Sequence, residues 1–149
     1  MSFVSELLTS IPIPKVFPVR QIFDATALEN PEAEYRMKLE AAGVLNKIKK
    51  GMTIAVAVGS RGIENLPLFV KLTVEAIKSR GGKPFLFPAM GSHGGASADG
   101  QRDMLEGMGI TEEYTDAPIR STMEVVQVGT SAEGLPIYLD KYANELMAS

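Results

Sequence analysis

A single α/β domain, with a mostly parallel central sheet and helices on both faces, is the fold class that three observations in this sequence predict. "MTIAVAV" at 52–58 is a short, apolar, β-branched run, the pattern of a strand buried on both faces. "KPFLFPA" at 83–89 supplies a second short strand. Between them "LPLFVKLTVEAIKSRGG" places Leu66, Phe69, Val70, Thr73, Val74 and Ile77 at helical spacing, with Pro67 at its start and Gly81 as its stop. Strand, amphipathic helix and strand in this order make a βαβ unit, whose crossover is right-handed in nearly all proteins.

The remaining elements follow from local signals. Residues 1–24 carry Ile11, Pro12, Ile13, Pro14, Val16, Phe17, Pro18 and Val19, and proline cannot donate to a ladder. That segment is therefore expected to be an extended arm or edge strand. In "ENPEAEYRMKLEAAGVLNKIKKG", Asn30 suits an N-cap and Pro31 the first helical position. Acids crowd its first turn and lysines its end, so a helix is expected from 31 to 40, with another turn or two up to Lys49. A third helix is expected from Ala98 or Asp99 to Met108, stopped by Gly109, and Thr111, Glu112 and Glu113 begin a further turn. "MEVVQVG" and "LPIYL" read as strands of a hairpin around "TSAEG", and "DKYANELMAS" as a helix start. No repeat or linker divides the chain, so residues 1–149 are read as one domain of Rossmann-like, three-layer type.

Composition narrows the function. With 149 residues, 45% hydrophobic and 22% charged, the chain has the make-up of a soluble globular domain rather than a disordered one. No apolar run approaches the ~18 residues a membrane span needs, and the N-terminus lacks the basic n-region of a signal peptide. A net charge of −3 and only 7% aromatic residues argue against nucleic acid as a partner. Zero cysteines excludes thiolate chemistry and disulfides within the chain and fits a cytoplasmic location. With a single histidine, the chain cannot build a multi-histidine metal cage alone.

In open α/β sheets, ligands bind beyond the carboxyl ends of the strands. That rule selects Gly59-Ser60-Arg61-Gly62 after the first strand and Gly91-Ser92-His93-Gly94-Gly95 after the second. If the strands are parallel neighbours, both loops open on one edge. Arg61 offers a planar fork for a carboxylate or phosphate. His93 is the one side chain suited to exchanging a proton near neutral pH. Gly91 and Gly94 let backbone approach a ligand, and Ser60 and Ser92 can hydrogen-bond it. An anionic small molecule with an acidic proton suits this set.

Simpler readings stand beside it. A lone loop histidine is commonly a solvated turn residue, and Arg61 can pair with Glu64 or cap the next helix. Neither loop has the P-loop, GxGxxG or GxSxG spacing. Arg120, Ser121 and Thr122 precede a strand, the wrong end for a ligand, and read as structural. Asp24, Asp99, Asp103, Asp116 and Asp140 show no paired spacing, and Met90, Met104 and Met108 read as packing residues.

"IAVAVGSRGIENLP", "GGKPFLFPAMGSHGGASADGQ" and "GTSAEGLPIYLDKYANE", in this order and spacing, resemble the N-terminal domain of the nickel-pincer-nucleotide lactate racemase family over roughly residues 20–145. The resemblance implies an isomerase, a racemase or epimerase of 2-hydroxy acids. In that family a nickel-carrying pyridinium cofactor takes a hydride from the α-carbon while a histidine takes the hydroxyl proton. By position, His93 corresponds to one of two general bases and Arg61 to a holder of the substrate carboxylate. Val58 stands where the family has aspartate, and Gly94 where it has arginine. These departures imply a divergent branch acting on a hydroxy acid other than lactate, or on a sugar acid. The family's cofactor-anchoring lysine, nickel-ligand histidine and second catalytic histidine correspond to a region beyond residue 149.

The expected partners are thus a 2-hydroxy acid and a C-terminal racemase domain in cis or in trans, with self-association to cover an exposed apolar face. No cofactor is expected to be anchored by this chain alone, and turnover is not expected from it. A carboxylate-binding module and a non-catalytic interaction domain remain the rival readings.

Overall fold

The computed structural model describes residues 15–24, 26–60 and 62–147. The part of the arm at 1–14 lies outside the described residues. Residues 15–24 form neither helix nor strand, and Val16 and Ile22 are 89% and 87% exposed.

Two strands, β1 (Thr53–Val58) and β2 (Lys83–Pro88), pair in parallel from Thr53↔Lys83 to Val58↔Pro88. Helix α2 (Leu66–Ser79) connects them, as the βαβ reading requires. Its Val70, Leu72, Val74 and Ile77 are buried, and Gly81 just past its end has φ of +78°. On the far side of β2, Leu86 donates its N–H to Pro118 O and accepts from Arg120 N–H, both at 2.8 Å. This parallel bridge to Ile119 extends the pair.

Helix α1 (Pro31–Ala41) begins where expected: Asn30 Oδ1 accepts from Ala33 N–H at 3.0 Å, filling one of the orphan donors of the first turn. None of its residues is buried. It adheres to α2 through the Tyr35 hydroxyl on Thr73 Oγ1 at 2.7 Å, the Tyr35–Phe69 ring contact at 4.8 Å and the Arg36–Glu75 pair at 2.7 Å. A 3-10 turn at Val44–Lys47 accounts for the extra turn expected before Lys49, and buries Leu45.

Helices α3 (Ala98–Gly107) and α4 (Glu112–Thr115) follow β2. Leu105 of α3 joins Val58, Val70, Val74, Leu86, Met90, Ile110, Ala117 and Ile119 in the core. Met90 is a core residue and Met104 and Met108 pack against it, as read from the sequence. Arg102 and Glu112 fasten the bridge strand. Arg102 Nη1 donates to Ile119 O at 2.9 Å, and Glu112 Oε1 accepts from Arg102 Nη2 at 2.7 Å and Ile119 N–H at 3.0 Å. The Ile119 N–H first, and then Arg102, hold the Glu112 carboxyl below its ordinary value of 4.5. A depressed carboxylate stabilises the fold above that ordinary value, and its contribution fades as pH falls through the folded one.

Strands β3 (Val125–Thr130) and β4 (Pro136–Asp140) form a separate antiparallel hairpin, with a register shift between Gln127 and Gly129. Its turn closes with Ser131 N–H on Leu135 O at 2.8 Å. Helix α5 (Lys141–Met147) contacts both the hairpin and β1. Arg120 lies over the Phe85 ring at 4.6 Å and the Tyr142 ring at 5.7 Å. Ser121 Oγ donates to Ala98 O at 2.7 Å, and Thr122 Oγ1 accepts from Glu124 N–H at 3.0 Å.

The described residues thus make a mixed α/β fold around a small parallel pair. One expectation fails. β1 is not buried on both faces: Val58 is buried, Ile54, Ala55 and Val56 are half-buried, and Thr53 and Ala57 are exposed. Among the described residues, β1 has β2 as its only strand neighbour. The core lies against Val56 and Val58, while the alternate positions carry only Thr53, Ala55 and Ala57. No helix among the described residues is long and apolar enough to cross a membrane.

Candidate functional site

Parallel pairing brings the ends of β1 and β2 to one edge, and one further backbone bond, Ala89 N–H on Val58 O at 2.8 Å, carries the alignment past the strands. Beyond it the chains diverge into Gly59–Asn65 and Met90–Ser97. Ser60 from the first loop and His93 from the second meet there. Ser60 Oγ and His93 Nδ1 are 2.5 Å apart, a short hydrogen bond between residues 33 apart in sequence. Both side chains are half-buried.

The histidine loop is held by its own sequence. Met90 is in the core, and its carbonyl accepts from His93 N–H at 3.3 Å. The backbone then crosses the first turn of α3 so closely that only glycine fits on either side. A Cβ on Gly94 would stand 2.5 Å from Gly100 O, and one on Gly100 would stand 2.1 Å from Gly94 O. Gly94 also has φ of +63°, which L side chains rarely adopt. Ser97 seals the crossing: its Oγ donates to Gly94 O at 3.0 Å and accepts the N–H of Gly100 at 3.2 Å as the N-cap of α3. Gln101, only 4% exposed, donates from Nε2 to Gly91 O at 2.8 Å. The run "GSHGGASADGQ" is therefore a latch that joins the loop to the start of α3.

Of the residues singled out in the sequence, Ser60 and His93 come together. Gly91 and Gly94 shape the loop, Gly91 through φ of +62° and its accepting carbonyl. Ser92 is exposed in the same turn, where its carbonyl accepts from Ala96 N–H at 3.2 Å. Arg61 lies outside the described residues. Sequence reasoning missed Ser97 and Gln101. Their signal was a serine directly before the helix start and a glutamine one turn in, where a buried side chain can reach back to the preceding loop.

A hydroxyl and an imidazole in hydrogen-bond contact, on loops rich in backbone N–H groups, can pass a proton to or from a bound hydroxyl group. Among the described residues no group of three or more His, Cys, Asp or Glu side chains could hold a metal ion. An apolar cleft of about 310 Å³ between α1, the 3-10 turn and β1, lined by Leu39, Val44, Ile48, Met52, Ile54 and Ile77 among others, sits at the amino end of β1, opposite the Ser60–His93 edge. The chemistry of the residues, not the size of the hollow, selects the carboxyl edge. No family model, curated protein or solved structure matches this chain.

Proposed function

We propose that this chain is the N-terminal half of a racemase or epimerase of a 2-hydroxy acid, and that His93 accepts the substrate's hydroxyl proton. The observation that carries the reading is the meeting of Ser60 and His93 at 2.5 Å on the carboxyl edge of a parallel strand pair. The motifs that resemble the nickel-pincer lactate racemases supply these same two loops, and a Rossmann-like, three-layer completion of the sheet belongs to the same reading. The donor set for a nickel site does not fit this chain, which has one histidine and no cysteine. In this reading the cofactor's anchor and the second base come from a C-terminal racemase domain joined in cis or in trans.

The residues of this chain serve the proton-transfer half of the reaction. In this reading His93 takes the hydroxyl proton of a ligand bound at the strand ends, and Ser60, Ser92 and the N–H groups of Gly91 and Gly94 hydrogen-bond that ligand. Arg61, by sequence position, holds the carboxylate.

His93 is the sole histidine, so its ring signals in an NMR titration are unambiguous. Millimolar lactate or a longer 2-hydroxy acid is expected to shift them, and propionate, which lacks the hydroxyl, to shift them much less. Equal shifts with propionate favour a plain carboxylate-binding module. Silence with every acid removes the site altogether and leaves a non-catalytic interaction domain.

A further inference from the structure

We infer that residues 15–23 dock as an edge strand on the open side of β1 in a second copy of this chain, and that two copies exchange their arms.

The receptor is the unpaired edge of β1. Lys83 N–H donates to Met52 O and Ala89 N–H to Val58 O, both at 2.8 Å, so the even-numbered backbone groups of β1 face β2. Thr53, Ala55 and Ala57 therefore turn their N–H and C=O groups to the opposite side. Among the described residues no other strand lies there. Sheets commonly guard such edges with proline, charge or a bulge. In the hairpin, β3 has its register shift and β4 has Pro136, and the far side of β2 meets Ile119. "TIAVAV" carries no guard. Of these edges it is the one open to a partner strand.

The arm has the complementary pattern. Its Val16, Phe17, Val19, Ile22 and Phe23 are all at least 70% exposed, so their own domain does not cover them. Pro12, Pro14 and Pro18 all fall at even positions of the sequence. An edge strand has one paired side and one solvent side, and alternate residues face each. With Pro18 on the solvent side, Lys15, Phe17, Val19, Gln21 and Phe23 present an unbroken row of N–H and C=O groups to a neighbour.

Connectivity selects the same edge. Helix α1 lies beside α2, through the Tyr35–Phe69 ring contact and the Arg36–Glu75 pair. A crossover of the same hand as β1–α2–β2, with its helix on that side, puts the strand before α1 on the side of β1 away from β2. In this chain the arm is unpaired and exposed, so that place is open to the arm of a second copy. Each copy offers one arm and one edge. The exchange is therefore reciprocal and closes on a two-fold axis.

The test is sedimentation of the full chain from micromolar to millimolar concentration, with amide exchange read at Thr53, Ala55 and Ala57. A dimer is expected, and these three amides should exchange more slowly as it forms. Val19→Pro removes an N–H from the paired side and should weaken the dimer by at least about tenfold, since each of two arms loses a ladder bond. Arg20→Pro places its proline on the solvent side and should leave the affinity within about threefold. Both positions lie outside the core, so the domain itself stays folded in either variant. A chain that is monomeric at every concentration overturns the inference. Slowed exchange at the three amides would then mean that the arm folds back on its own β1, and fast exchange that the edge stays unpaired. Equal weakening by Val19→Pro and Arg20→Pro overturns the strand pairing. No ligand is added, so the outcome does not depend on the role of His93.

Discussion

The two loops that meet at the carboxyl edge are built to opposite rules. The serine loop after β1 follows a strand that is largely half-buried or exposed, and a Cβ on Gly59 or Gly62 would meet nothing within 4 Å. The histidine loop after β2 leaves a strand with Phe85 and Leu86 at 1% and 0% exposure, and is bound to α3 through Gly94, Ser97, Gly100 and Gln101. Both loops are glycine-rich, yet glycine does different work in each. In one it leaves room; in the other it allows two backbones to touch.

The sharpest way to break this contrast is to place a methyl group at the crossing. In an ordinary helix Gly→Ala stabilises by up to about 1 kcal/mol. Gly100→Ala is expected to reverse that sign and destabilise by about 2–3 kcal/mol, because the partner at 2.1 Å is a backbone carbonyl that cannot step aside. Gly94→Ala adds unfavourable φ to a similar clash and should cost at least as much. Denaturant unfolding measures both, and a stabilised Gly100→Ala would mean that the crossing does not exist.

Removing the latch without adding bulk should have a smaller effect. Gln101→Leu takes away the Gly91 contact and is expected to destabilise by about 1–2 kcal/mol. Amide exchange should quicken at residues 91–97 more than in α2, which shares the core but not the bond.

The contrast is finest between two glycines that both have open space. Gly95 has φ of +67°, so Gly95→Ala should lose about 1 kcal/mol from the left-handed conformation alone. Gly59 has neither a clash nor a positive φ, and Gly59→Ala should stay within about 0.5 kcal/mol of the parent. Equal losses at Gly59 and Gly95 would erase the distinction between the loops.

Much of the fold was legible because its signals are local. Asn30 before Pro31, Pro67 within the first turn of α2, Gly81 and Gly109 past helix ends, and the turn residues Ser131–Gly134 each act on the backbone beside them. What the pattern could not convey was how fully β1 would be covered, since its apolar run says what can be buried but not which neighbours arrive to bury it. The site divided in the same way. That Ser60 and His93 share an edge follows from parallel pairing and the carboxyl-end rule. That Gly94 touches Gly100, or that Gln101 reaches Gly91, depends on how a loop folds back on the next helix, and no periodicity records it.

The Gly94–Gly100 contact also decides which part of the site can adjust. His93 travels with α3, and α3 with the core through Leu105, so the imidazole behaves as the fixed jaw of a vice. Ser60 sits on the other jaw, between Gly59 and Gly62, where an added Cβ would meet nothing within 4 Å. If the proposed function holds, substitutions in the first loop should change which ligands bind more readily than substitutions in the histidine loop, which α3 holds in place.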